Sequence, residues 1–205
     1  MYTKKSNKKE KINRGSYGYI KNSKQKKIIL MSVLMVLAAA IFTIGLFLNK
    51  FSKANLFTVV AILLVLPWAK VLTTYIVLVP YHTPSKEQYD KIKQFETEGL
   101  QIYSDLVITS EEKVMNLDFL VIGNQKVYGV AGKENQDLTY INQYLKKGLS
   151  NQTNGLDVKI VKEFRQFTTL VKGISDACKK NQEMTKERAD QEQKAEDYII
   201  SLIVQ

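Results

Sequence analysis

Few residues in this chain have the type and setting to do chemistry, and the most conspicuous is a lysine inside a greasy run. Lys70 follows Pro67 and Trp68 within Leu56 to Val79, LFTVVAILLVLPWAKVLTTYIVLV. A lysine in mid-span costs about 2.5–3.5 kcal/mol, less if its stem carries the ammonium to the headgroups. It forms part of an ion or partner site within the membrane, or it snorkels or faces the first helix at the kink that Pro67 makes. The second reading is favoured, because a two-helix anchor encloses little water-filled interior. His82, the sole histidine, stands at the edge of this run, which suits an interfacial residue better than a ligand. Cys178 is the sole cysteine, so neither an intrachain disulfide nor a cysteine zinc site can form. There is no glycine-rich phosphate loop, no Ser-His-Asp set and no interleaved basic-aromatic surface. Asp118 and Lys133, taken alone, read as polar residues at strand ends.

The elements that hold these residues begin with charge. The formal net charge is +10 over 205 residues. Residues 1–27 carry ten Lys/Arg against the single acid Glu10, while from Tyr81 onward 17 basic residues face 19 acids. The basicity belongs to the tail, and the nearly neutral remainder argues against nucleic acid as a partner. Arg14, Arg165 and Arg188 are the only arginines, few for a site that grips anions through bidentate guanidinium forks.

Ile28 to Leu48, IILMSVLMVLAAAIFTIGLFL, carries no charge across 21 residues. As a helix it covers roughly 30 Å, the thickness of a bilayer core. A buried core helix would keep a polar face, and a cleavable signal core is shorter and is not followed at once by a second apolar run. The two runs therefore predict a transmembrane helical hairpin over 28–80, preceded by a basic tail, 1–27. Asn49 to Asn55 allows only a tight turn. An even number of crossings returns both ends to one side, and the ten basic residues place that side in the cytoplasm. The expected localisation is the cell membrane, two spans, with both termini cytoplasmic and the lipid bilayer as first partner.

After Pro84 the pattern predicts an α/β domain over 83–175. A helix runs from Pro84 to Glu98 and ends near Gly99. Strands follow at Leu100 to Thr109, Val114 to Ile122 and Lys126 to Ala131, the last two joined across Gly123-Asn124-Gln125. A helix over Asp137 to Gln152, a strand over Asp157 to Val161 and a helix from about Phe164 complete it. Residues 176–205 read as a polar C-terminal helix, polar from Lys179 to Lys194 and apolar again at Tyr198, Ile199, Leu202 and Ile203. Docking of that end on the body is the default.

The order α-β-β-β-α-β-α resembles the core of the restriction-endonuclease-like fold. Leu117-Asp118-Phe119-Leu120-Val121-Ile122-Gly123, followed by Val127-Tyr128-Gly129-Val130-Ala131-Gly132-Lys133, is similar to the nuclease-related domain (NERD) pattern. In that family an aspartate opens the second strand and a glutamate-x-lysine triplet closes the third. The resemblance implies a divalent cation such as Mg²⁺ on Asp118, with Lys133 stabilising developing charge. Here the glutamate position is Ala131, which removes one of two protein anions. Glu134 is a substitute only if a bulge turns it to the side of Lys133, and Glu96 or Glu98 in the preceding helix could assist.

The leading expectation is a membrane-anchored, non-catalytic interaction or scaffold module of bacterial type with a degenerate nuclease-like fold, binding a protein partner or forming a homo-oligomer. The alternatives are a metal-dependent membrane-bound nuclease using Asp118, Lys133 and Glu134, and a small subunit of a transport or secretion complex acting through Lys70.

Overall fold

The computed structural model describes residues 12–50, 52, 55–153, 155–180 and 186–204. Residues 1–11 of the basic tail, Lys53 of the turn and 181–185 of the polar stretch lie outside these. The first helix, α1 (Tyr19–Leu48), is 30 residues, about 45 Å long, and starts well ahead of the apolar run at Ile28. Its first turns carry Tyr19, Ile20 and Ser23 into buried contact, so the domain extends the helix beyond what hydropathy alone marks. The chain returns through α2 (Leu56–Leu63) and α3 (Val65–Leu78). The break between them falls at Leu64, where Pro67 has no N–H to offer and its ring crowds the carbonyl of Leu63. α1 and the Leu56–Leu78 segment are each long and apolar enough to cross a bilayer.

The reversal is tightly made. A Cβ on Gly45 would fall inside the Phe57 side chain, so only glycine lets α1 and α2 approach this closely. Asn49 and Asn55 both donate side-chain N–H groups to the Gly45 carbonyl, at 2.9 and 3.4 Å. Asn55 Oδ1 accepts from the Thr58 amide at 2.9 Å and so caps α2.

Beyond the hairpin, α4 (Lys86–Lys93) precedes a mixed four-stranded sheet in the order β1 (Leu100–Thr109), β2 (Val114–Gly123), β3 (Lys126–Ala131), β4 (Asp157–Val161). The first three strands are antiparallel and β4 runs parallel to β3. That parallel step needs a crossover, which α5 (Leu138–Ser150) supplies. α6 (Phe164–Lys180) and α7 (Lys186–Leu202) follow. α6 runs through position 175, and the apolar end of α7 joins the body, with Ala195, Ile199 and Ile203 buried beside Leu106 and Ile108.

The sheet has two covered faces. One packs Leu117, Leu120 and Ile122 against Ile141 and Leu145 of α5 and against α7. The other packs Phe119, Val121 and Val130 against Ile92 of α4 and Phe167 and Val171 of α6. In a regular strand one face takes every second residue. Here Met115 and Leu117 share a face with Leu120 and Ile122, so parity switches between them. The switch is a bulge at Asp118, where the β2–β3 register shifts between Leu117↔Ala131 and Phe119↔Val130. β1 switches at the same level, where Asp105 has φ 58. The two irregularities restore each other's pairing, and both strands carry apolar residues on both faces.

Side chains close what the strands leave open. Asn142 of α5 grips the outer edge of β4, its Oδ1 accepting from the Ile160 amide at 2.8 Å and its Nδ2 donating to the Ile160 carbonyl at 3.2 Å. Gln136 does the same for β2 past the end of β3, exchanging two 2.7 Å bonds with the Asn116 backbone. On β1, Val204 donates its amide to the Val107 carbonyl and Ser104 donates to the Gly15 carbonyl. These edge groups, which would otherwise invite another chain, are thus satisfied internally. The β2–β3 turn has Asn124 and Gln125 at φ 50 and 59, and Glu192 of α7 accepts from the Gln125 amide at 3.1 Å.

Candidate functional site

Asp118 lies in the β2 bulge, half-buried beside the end of β3. Burial pushes its carboxyl up to about 6, and among the described residues no cation offsets this. Among the described residues no donor bonds to it. Its Oδ1 and that of Asn116 crowd the backbone of Gly132, where any Cβ would collide with both. Gly132 in turn donates its amide to the Asn116 carbonyl at 3.0 Å. The bulge, the missing side chain at 132 and the half-buried carboxylate form one recess at the junction of β2 and β3.

Lys133 does not enter that recess. β3 ends at Ala131, so Lys133 and Glu134 belong to the turn that follows, where strand alternation no longer aims side chains. The Lys133 ammonium lies over the Tyr81 ring, 4.6 Å from its centroid, at the end of the hairpin. Glu134 is exposed. Ala131 is buried opposite Leu117, at the position where the nuclease pattern has glutamate. Glu96 and Glu98 are exposed just before Leu100, roughly 16 Å along β1 from the level of Asp118. Among the described residues no group of three or more His, Cys, Asp or Glu side chains is arranged to hold a metal ion.

Next to Tyr81 opens a cleft of about 420 Å³, lined by Lys113, Met115, Gln136, Asp137 and Tyr140. Its charges are internally matched. Lys113 pairs with Asp137 at 2.8 Å and lies over the Tyr140 ring at 4.8 Å. The Lys113 ammonium holds the Asp137 carboxyl below its usual range, and Asp137 also caps α5 through the Tyr140 amide at 3.0 Å.

Sequence reasoning passed over Asp105. It is fully buried, and its Oδ2 accepts from the Thr83 hydroxyl at 3.3 Å. The amides of Gly18, Tyr19 and Ile20, at the start of α1, face it and pull its pKa down, yet burial wins and sets it at about 6. Its Oδ1 is left without a full hydrogen bond. An anion at a helix N-terminus complements the helix dipole, and this one comes from the middle of β1. At the other end of the hairpin Lys24 donates to the carbonyls of Val79 (3.0 Å) and Tyr81 (2.6 Å), a cation at a helix C-terminus. Ile20, Leu78, Tyr81 and Val107 close the junction in one buried cluster, and the Tyr19 hydroxyl donates to the Val204 carbonyl at 2.9 Å. The hairpin is thus built into the domain. The available signal was an aspartate interrupting an apolar strand.

Lys70 is exposed on α3, and His82 is exposed just beyond it. Comparison with known protein families, with curated proteins and with solved structures finds no match.

Proposed function

We propose that this chain is a membrane-anchored, non-catalytic module whose hairpin lodges in the bilayer and holds the α/β domain at the cytoplasmic face. There the domain binds another protein or presents a surface. One observation carries this reading. Apart from Val114, the large apolar side chains exposed among the described residues all lie between Ile28 and Val79. A patch this extensive on a soluble protein would aggregate, whereas hydrocarbon accommodates it. The domain itself is covered on both sheet faces, and side chains and chain ends satisfy part of its strand edges. The degenerate nuclease-like fold stays part of the proposal, supported by the element order and by Ala131 at the carboxylate position. Alkaline carbonate should leave the protein in the membrane pellet, and protease outside intact cells should spare residues 83–205. Asp118→Ala should leave binding of Mg²⁺ or Mn²⁺, followed by calorimetry, unchanged. Release by carbonate, or a strong loss of metal binding in that variant, refutes the respective half of the reading.

A second reading, a metal-dependent nuclease, draws on the Asp118 recess, since a half-buried carboxylate lacking any donor is a common feature of functional sites. Full-length protein incubated with DNA or RNA and Mg²⁺ or Mn²⁺ tests it. Cleavage that disappears in Lys133→Ala favours it; no cleavage removes it.

A further inference from the structure

Among the described side chains four carboxylates are held back from full exposure, those of Asp105, Asp118, Glu192 and Glu196. Three of them have a donor beside them. Asp105 accepts from the Thr83 hydroxyl, Glu192 accepts from the Gln125 amide, and Glu196 faces the Tyr103 hydroxyl. Asp118 is the exception, with neither a donor nor a cation among the described residues to offset its burial. Lys133, next to Gly132 in the chain, lies over the Tyr81 ring instead.

Asn116 turns a second acceptor to the same place. It is 2 % exposed, and its Nδ2 donates to the Leu106 carbonyl at 3.3 Å. Its Oδ1 accepts no hydrogen bond among the described residues. A Cβ on Gly132 would meet Asn116 Oδ1 and Asp118 Oδ1 at once, so the two oxygens flank one point. They stand close enough for a single nitrogen to bond both at ordinary hydrogen-bond length. Two acceptors that face one another with no donor between them repel, and burial weakens the relief that water gives.

We propose that Asp118 and Asn116 form an acceptor site for a primary ammonium group brought by a ligand from outside the chain. The proposal rests on the non-catalytic reading of the domain and names what its Asp118 recess takes. An ammonium carries one positive charge and three donors on a compact head, which suits one carboxylate beside one amide oxygen. Water donates to both oxygens but leaves the charge unmatched. A divalent cation takes six or more oxygens, and the recess offers one anion with no cluster of three acids among the described residues. A guanidinium fork matches the two oxygens of one carboxylate, whereas these belong to different side chains. A lysine side chain on a protein partner and a free small amine share the required chemistry.

Amide NMR of the full chain in detergent micelles, following the Gly132 amide and the Asn116 side-chain amide, reads occupancy directly. The probes are methylammonium and N-acetyl-lysine methylamide, with the ε-acetylated form of the latter as an uncharged control. The wild type should titrate with both cations and not with the control. Asp118→Asn keeps the shape and removes the charge, and should weaken binding about tenfold. Glu134→Gln, which alters an exposed acid close by in the chain, should match wild type. Tighter binding of the lysine derivative assigns the site to a protein side chain, and equal binding assigns it to a free amine. No titration in the wild type overturns the site, as does an unchanged affinity in Asp118→Asn or an equal response to the control. Titration that emerges only in Lys133→Ala shows the chain's own lysine filling the recess, and displacement of the amine by equimolar Mg²⁺ shows a metal there; either overturns the proposal. Nucleic-acid cleavage that is lost in Asp118→Asn refutes the non-catalytic reading and this site together. A chain that neither titrates nor cleaves refutes the site alone.

Discussion

Replacing Asp105 with asparagine should make the protein more stable at neutral pH. Asp105 is fully buried at φ 58, a conformation that asparagine tolerates as readily as aspartate. The substitution keeps the shape and an oxygen for the Thr83 hydroxyl, and removes the charge. Burial raises the carboxyl from 3.8 to about 6, so the folded protein holds this proton more tightly than the unfolded chain does. Stability from this group is therefore greatest below about pH 4, falls as pH rises toward 6, and is level above that. Two pH units correspond to about 3 kcal/mol, or about 10 °C in melting temperature for a domain of this size. The Asp105→Asn variant lacks the titration. Its advantage over wild type should grow from near zero at pH 4 to about 3 kcal/mol at pH 7.5. Asp118, also raised to about 6, adds a slope of the same sign to both proteins and cancels in the difference. Near-UV circular dichroism of the full chain in detergent micelles, melted at intervals from pH 4 to 8, measures this. A variant that melts below wild type at pH 7.5 would show that the amides at the start of α1 stabilise the anion by more than burial costs it. A difference independent of pH would equally refute the reasoning.

Asn142→Ala removes both bonds to the Ile160 backbone and should cost about 2 kcal/mol; it also opens the edge of β4, so light scattering should detect self-association absent from wild type. Gly45→Leu should push α2 off α1, and a disulfide engineered between Ala38→Cys and Leu64→Cys, which line one groove, should then form several-fold more slowly.

How much of this was legible beforehand depends on the range of the interaction involved. The strands Leu100–Thr109, Lys126–Ala131 and Asp157–Val161 have the bounds that alternation and turn residues predict, because pleating and turn sterics act between near neighbours. The break before Pro67 is equally local, since a missing N–H acts within one turn. Element order was readable for the same reason. The recess at Asp118 was only half legible. Its aspartate was singled out, but the bulge that sets its surroundings arises from the pairing of three strands, and β3 ends too early to aim Lys133 at it.

The sequence by itself determined two long apolar segments, their breaks and caps, and the alternation of helices and strands after them, all consequences of periodicity and backbone sterics within a few residues. Only the tertiary structure decided that α1 begins at Tyr19, that Asp105 meets its amides, that Glu192 grips the β2–β3 turn and that Asn142 and Gln136 stand in for missing strands. Each of these joins groups that are near in space and, for the most part, far apart along the chain. Which of many polar side chains makes such a contact depends on how the whole chain closes, and no local pattern encodes that choice.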